Sequence, residues 1–154
     1  MSGLIDLGCR VADVHHRYHE IHGALFGAGS FGLVVNALRG RRRRAYREFS
    51  TTLQGLEAKL AALEAQIAEP AQAASRRGTE RELQQVMLEY TQALSKAVMA
   101  LGAIFVNLEQ DESAYRDAGA DGRSRFTGDK LEYDHMLLDL ERLGTRLNKL
   151  FAKY

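Results

Sequence analysis

The chain has one cysteine, Cys9, one proline, Pro70, and no tryptophan among 154 residues. A lone cysteine excludes an intramolecular disulfide framework and fits a reducing compartment. A lone proline leaves almost nothing to interrupt a helix. An excess of charge of one sign is also missing: 21 basic and 20 acidic side chains give a net charge of +1. The molecule as a whole is therefore no polycation, and affinity for nucleic acid or lipid must come from local clustering. The opening "MSGLIDLGCRVADVHHRYHE" lacks a basic region followed by an apolar core. No secretory signal is expected there, and the expected location is cytoplasmic. No segment alternates with a period of two and β-branched enrichment, so strands are not expected.

What is present is a helical rhythm. Leu4, Leu7, Val11, Val14, Tyr18, Ile21 and Leu25 recur at steps of three and four. Tyr46, Phe49, Leu53, Leu56, Leu60, Leu63 and Ile67 repeat it, as do Leu83, Met87, Tyr90, Leu94, Ala97, Leu101, Ile104 and Leu108. The last stripe is Tyr133, Met136, Leu140, Leu143, Leu147, Leu150 and Tyr154. Such alternation is the seam of a coiled coil or a left-handed bundle. The spacing predicts an all-α fold: one four-helix-bundle domain over 1–154 with coiled-coil-like heptad packing. Its helices are expected at roughly 3–25, 33–68, 79–110 and 129–153. Pro70 ends the second helix, and Thr79 with Glu82 offers a capping box for the third. The stretch "DESAYRDAGADGRSRFTGD" reads as a long loop, either mobile or a contact surface.

Between Ile21 and Leu38 lie 18 residues without a formal charge, His22 apart. That length just crosses a hydrocarbon core as helix. Gly23 and Gly27 are four apart, a spacing that lets helices approach closely in lipid. Five of the 18 residues are Gly or Ser, which makes the hydropathy borderline. A soluble alternative makes Gly27, Gly29 and Gly32 a turn, with glycine supplying positive φ. Phe31, Val34 and Val35 then belong to an apolar hairpin that can rest folded and later insert. "GAGSFG" spells a dinucleotide-binding motif but has no preceding strand and no acidic residue placed for a ribose.

Arg39, Arg41, Arg42, Arg43, Arg44 and Arg47 fall within nine residues. They fan around a helix and repel one another, so they need either polyanion phosphates or nearby acids such as Glu109, Asp111 and Glu112. Anionic lipid is one such partner. Nucleic acid is another, although only Tyr46 interleaves the cluster and single-strand binders offer several stacking rings.

His15, His19 and His22 share one helix flank. As metal candidates they lack bundle-core carboxylates: Glu132 and His135 supply one Glu-x-x-His spelling, and a second is absent. A solvated flank whose charge rises below about pH 6.5 is the simpler reading, and that charge would gate insertion if the adjacent segment enters membranes. No nucleophile has a base partner in the sequence. The expectation is thus a non-enzymatic interaction and assembly protein without cofactor or small-molecule substrate. It self-associates as a homo-oligomer and contacts an anionic membrane surface, at the inner face of a membrane, through residues 21–38 and the arginines. The alternatives are a small nucleic-acid-binding subunit and a metal-binding bundle.

Overall fold

The computed structural model of the protein describes residues 2–27 and 42–153. Gly29, Phe31, Gly32, Val34, Val35, Arg39, Arg41, the helix start expected at 33 and Tyr154 lie outside the described residues. Within them the chain forms α1 (Ser2–Phe26), α2 (Arg42–Ile67), a single turn α3 (Pro70–Ala73), α4 (Thr79–Arg116) and α5 (Arg125–Phe151). There is no strand among the described residues. The four long helices pack as an all-α bundle.

The heptad residues form its core. Leu53, Leu60, Ile67, Leu83, Leu94 and Leu101 are fully buried. The stripes of α1 and α5 point inward with them, although Leu25, Phe49 and Met136 are only partly buried. Helix α4 buries a wider face than its stripe, adding Val86, Ala93, Val98 and Phe105. The reason is topological: α4 packs extensively on both α2 and α5, whereas α1 lies chiefly on α2 and touches α4 less. By length and composition α4 is also apolar enough to cross a membrane, which is what burial on two sides selects in a central helix.

Several boundaries differ from the sequence expectation. Helix α2 ends at Ile67, and Pro70 opens α3 at a first-turn position, where a missing N–H costs no bond. The Gln84 amide donates to the Ile67 carbonyl at 2.8 Å and satisfies that exposed helix end. Thr79 does not cap α4. Gly78 occupies the cap position with φ +60°, a left-handed conformation suited to glycine, and Glu80 and Glu82 sit in the first turn against the helix dipole.

Helix α4 continues to Arg116 rather than stopping at 110. Its backbone breaks at Asp111 (φ −160°, ψ 87°), and the Asp111 carboxylate accepts the Ala114 N–H at 3.1 Å, capping a final turn. That turn is held by Tyr115, which is buried and donates to Asp129 Oδ2 at 2.6 Å. Helix α5 begins at Arg125, not 129, because Ser124 caps it by accepting the Thr127 N–H at 3.1 Å. The expected long loop shrinks to Asp117–Ser124.

Candidate functional site

The end of α1, the start of α2, the end of α4 and the start of α5 meet at one end of the bundle. Most of the described arginine cluster there is paired with acids. Arg47 Nε lies 2.7 Å from Glu109 Oε1, and Arg42 Nη1 lies 3.7 Å from Glu112 Oε1. Glu112 also receives the Tyr46 hydroxyl at 2.9 Å and Arg116 Nε at 2.9 Å. Arg44 pairs within its own helix with Glu48 at 3.3 Å. Asp111, considered a partner from sequence, instead caps backbone. Arg43 is exposed and has no ion pair among the described residues. Exposed pairs of this kind contribute at most about 1 kcal/mol, so the acids chiefly relieve repulsion among the arginines. Further cations at this end sit over rings: Arg116 over Phe126 at 4.4 Å, Arg125 over Tyr115 at 5.6 Å and Lys130 over Phe26 at 5.3 Å.

Gly23 lies within α1 with open space where a Cβ would stand. Gly27 follows directly, its N–H donating to the Gly23 carbonyl at 2.8 Å. A Cβ on Gly27 would fall 2.4 Å from that same carbonyl oxygen. Glycine is therefore required by close approach, not by the positive φ expected of a turn; among the described residues only Gly78 and Gly122 have positive φ.

His15, His19 and His22 occupy one flank of α1, with successive rings stacked at 6.0 Å and 6.1 Å and tilted by only 19° and 16°. Imidazole lone pairs lie in the ring plane, so stacked rings do not converge on one ion. Among the described residues no group of three or more His, Cys, Asp or Glu gathers round a point. Glu132 and His135 are exposed on α5. His22 instead joins a buried knot: its Nδ1 lies 2.7 Å from the Tyr133 hydroxyl, which is also hydrogen-bonded to the Tyr18 hydroxyl. Burial raises Tyr18 to about 12 and Tyr133 further still. Both phenols therefore stay neutral at ordinary pH.

Burial, reinforced by neighbouring His19, lowers both His15 and His22; His16 adds to the effect on His15, and Lys130 opposes Asp134 at His22. The unfolded chain protonates these groups near pH 6.5, the folded protein only at lower pH. Across that interval the unfolded state binds more protons, so stability is present above about pH 6.5 and declines as pH falls toward the folded values. The urea midpoint should drop between pH 7.5 and 5.5, and the drop should shrink in the variant His15→Gln/His22→Gln. An unchanged slope in that variant would assign the pH response to other groups.

Helices α1 and α5 meet at two places. At one end the Tyr18–His22–Tyr133 knot joins them, with the Phe26 ring tilted against Tyr133 at 5.8 Å. At the other, Phe151 packs against Gly8 so closely that a Cβ there would lie 2.6 Å from its ring. Along this seam the helices part, leaving a groove of about 700 Å³. Tyr90 of α4 lines it, and Ala12 and Gly144 keep its walls low. A Cβ on Gly144 would stand 3.3 Å from the Tyr90 ring. Sequence reasoning took Tyr90 as core and passed over Gly8 and Gly144. The available signal was glycine inside long helices, which costs about 1 kcal/mol relative to alanine unless close packing requires it. No protein-family model, curated protein or solved structure matches this chain.

Proposed function

We propose that the protein is a non-enzymatic interaction and assembly bundle that docks on anionic membrane surfaces and self-associates. The observation that supports this most is the position of Gly27 and Arg42. Gly27, inside the uncharged stretch, and Arg42, the first described arginine after it, stand at the same end of the bundle as exposed Arg43, Arg44 and Arg47. Apolar area and positive charge are thus adjacent in the sequence, the two components of reversible membrane attachment. Self-association is supported by Leu131 and Leu138, 43% and 65% exposed and seven residues apart on α5. A second copy continuing the heptad packing as a coiled coil would cover such a stripe. The site of action in this reading is the cytoplasmic face of a membrane.

Flotation with liposomes tests it. Wild-type protein should float with anionic and not neutral vesicles at low salt. Replacing Arg41–Arg44 with Ser removes four charges, each contributing about 1 kcal/mol near an anionic surface, and should abolish this docking with the helical spectrum intact. Val34→Asp should spare low-salt docking and remove whatever survives at high salt. If the wild type ignores vesicles yet binds nucleic acid with a steep salt slope that the arginine variant loses, the membrane reading fails and a nucleic-acid-binding subunit replaces it.

A further inference from the structure

We propose that the groove between α1 and α5 binds a neutral, largely apolar small molecule through one hydrogen-bond acceptor, which the Tyr90 hydroxyl receives. The groove has the dimensions of a ligand site. Its lining on α1 runs from Ile5 to His22, about 25 Å of helix. Its volume of about 700 Å³ falls among small-molecule pockets.

The lining determines the ligand's chemistry. Val11, Leu140 and Leu147 give it an apolar base. No lysine or arginine lines it, and its one acidic side chain is Glu141, so nothing there compensates an anionic ligand. The imidazoles along the α1 wall are held toward the neutral form at His15 and His22.

Tyr90 supplies the specific contact. Five tyrosines are buried among the described residues. Four have hydrogen-bonded hydroxyls: Tyr18 with Tyr133, Tyr46 with Glu112 and Tyr115 with Asp129. Tyr90 is only 9% exposed, yet its hydroxyl has no partner among the described residues, and burial alone raises it to about 12. The hydroxyl is not sealed in the core either, because the only enclosed, unpartnered side-chain atom among the described residues is a nitrogen of Arg76. It keeps accessible surface, and because Tyr90 lines the groove, the groove is where this protonated donor would meet an acceptor. Buried polar groups are normally paired, and here a bound acceptor such as a carbonyl completes the set. The His15 ring, 6.3 Å from that of Tyr90, stands beside the same point.

The test uses prodan, a neutral naphthalene ketone whose emission shifts to the blue in apolar surroundings, in vesicle-free buffer. Wild-type protein should bind it saturably at one molecule per chain with a blue shift. Ala12 faces the groove and is exposed, so Ala12→Phe fills the site without overpacking the core and should weaken binding at least about tenfold. Tyr90→Phe should weaken it about tenfold, the equivalent of one good hydrogen bond, while leaving the thermal midpoint of the free protein unchanged or higher. Absence of saturable binding, wild-type affinity in both variants, or a lowered midpoint for Tyr90→Phe would each overturn the proposal. So would conversion of a dimer to a monomer by Ala12→Phe, because the groove would then hold a second copy. Neither variant alters the basic end, so vesicle docking is read independently.

Discussion

Leu94→Ala is expected to destabilise the protein by about 2–5 kcal/mol, the range for removing three carbons from a packed interior. Leu94 has no exposed surface and lies midway along α4, the helix packed from both sides by α2 and α5. Two rows of neighbours must move to refill the space, and neither can do so without disturbing the other seam. The residual cavity, and not only the lost transfer energy, therefore sets the cost. In a chain of this length the loss corresponds to a fall of roughly 4–20 °C in Tm. Leu138→Ala is the matched control: the same atoms are deleted at a position 65% exposed, and the change should stay within about 0.5 kcal/mol at protein concentrations too low for association. Urea unfolding followed by circular dichroism measures both. A Leu94→Ala loss below 1 kcal/mol would mean that α4 is not the packed centre of the bundle.

Tyr133→Phe should cost about 1–3 kcal/mol, although the ring and its apolar contacts remain. The deleted hydroxyl is bonded by both Tyr18 and His22. Tyr18 is 2% exposed, so water cannot replace the lost partner, whereas half-exposed His22 can be rehydrated. Most of the penalty therefore falls on Tyr18. Tyr18→Phe/Tyr133→Phe should then cost clearly less than the two single changes added together, because the second substitution removes the group the first left stranded. Simple additivity in this double-mutant cycle would show that the two hydroxyls do not depend on each other.

The helices and their inward faces were legible in the sequence because heptad spacing is a local property: Leu53, Leu60, Leu83, Leu101 and Leu147 were placed from it and are buried. The end of α4 was not legible, because its apolar stripe stops at Leu108 and the last turn is held by a tertiary bond from Tyr115 to Asp129. Ser124 lies in the stretch that reads as a loop, and its capping bond to the Thr127 N–H emerges only in the structure. At the basic end, pairing of Arg42 and Arg47 with Glu112 and Glu109 was among the sequence-level alternatives. The groove was not. Its existence depends on how far α1 and α5 separate, which Gly8 and Phe151 fix at one end and Tyr133 at the other, and no periodic pattern records an inter-helix distance. His22 was likewise grouped with its neighbours on α1, although its partner lies 111 residues away.

The seam between α1 and α5 also bears on the order in which the chain folds. Its closing contacts join residues as far as 115 positions apart, whereas α2, α4 and α5 follow one another and associate with little loop entropy to overcome. The contacts that close α1 on α5 are therefore expected to form late, after the rate-limiting step. Tyr133→Phe should then accelerate unfolding while leaving the refolding rate almost unchanged, giving a φ-value near zero in stopped-flow measurements; equal effects on both rates would place α1 in the folding nucleus. Anything that clasps the first helix to the last would lengthen the lifetime of the folded molecule without hastening its formation.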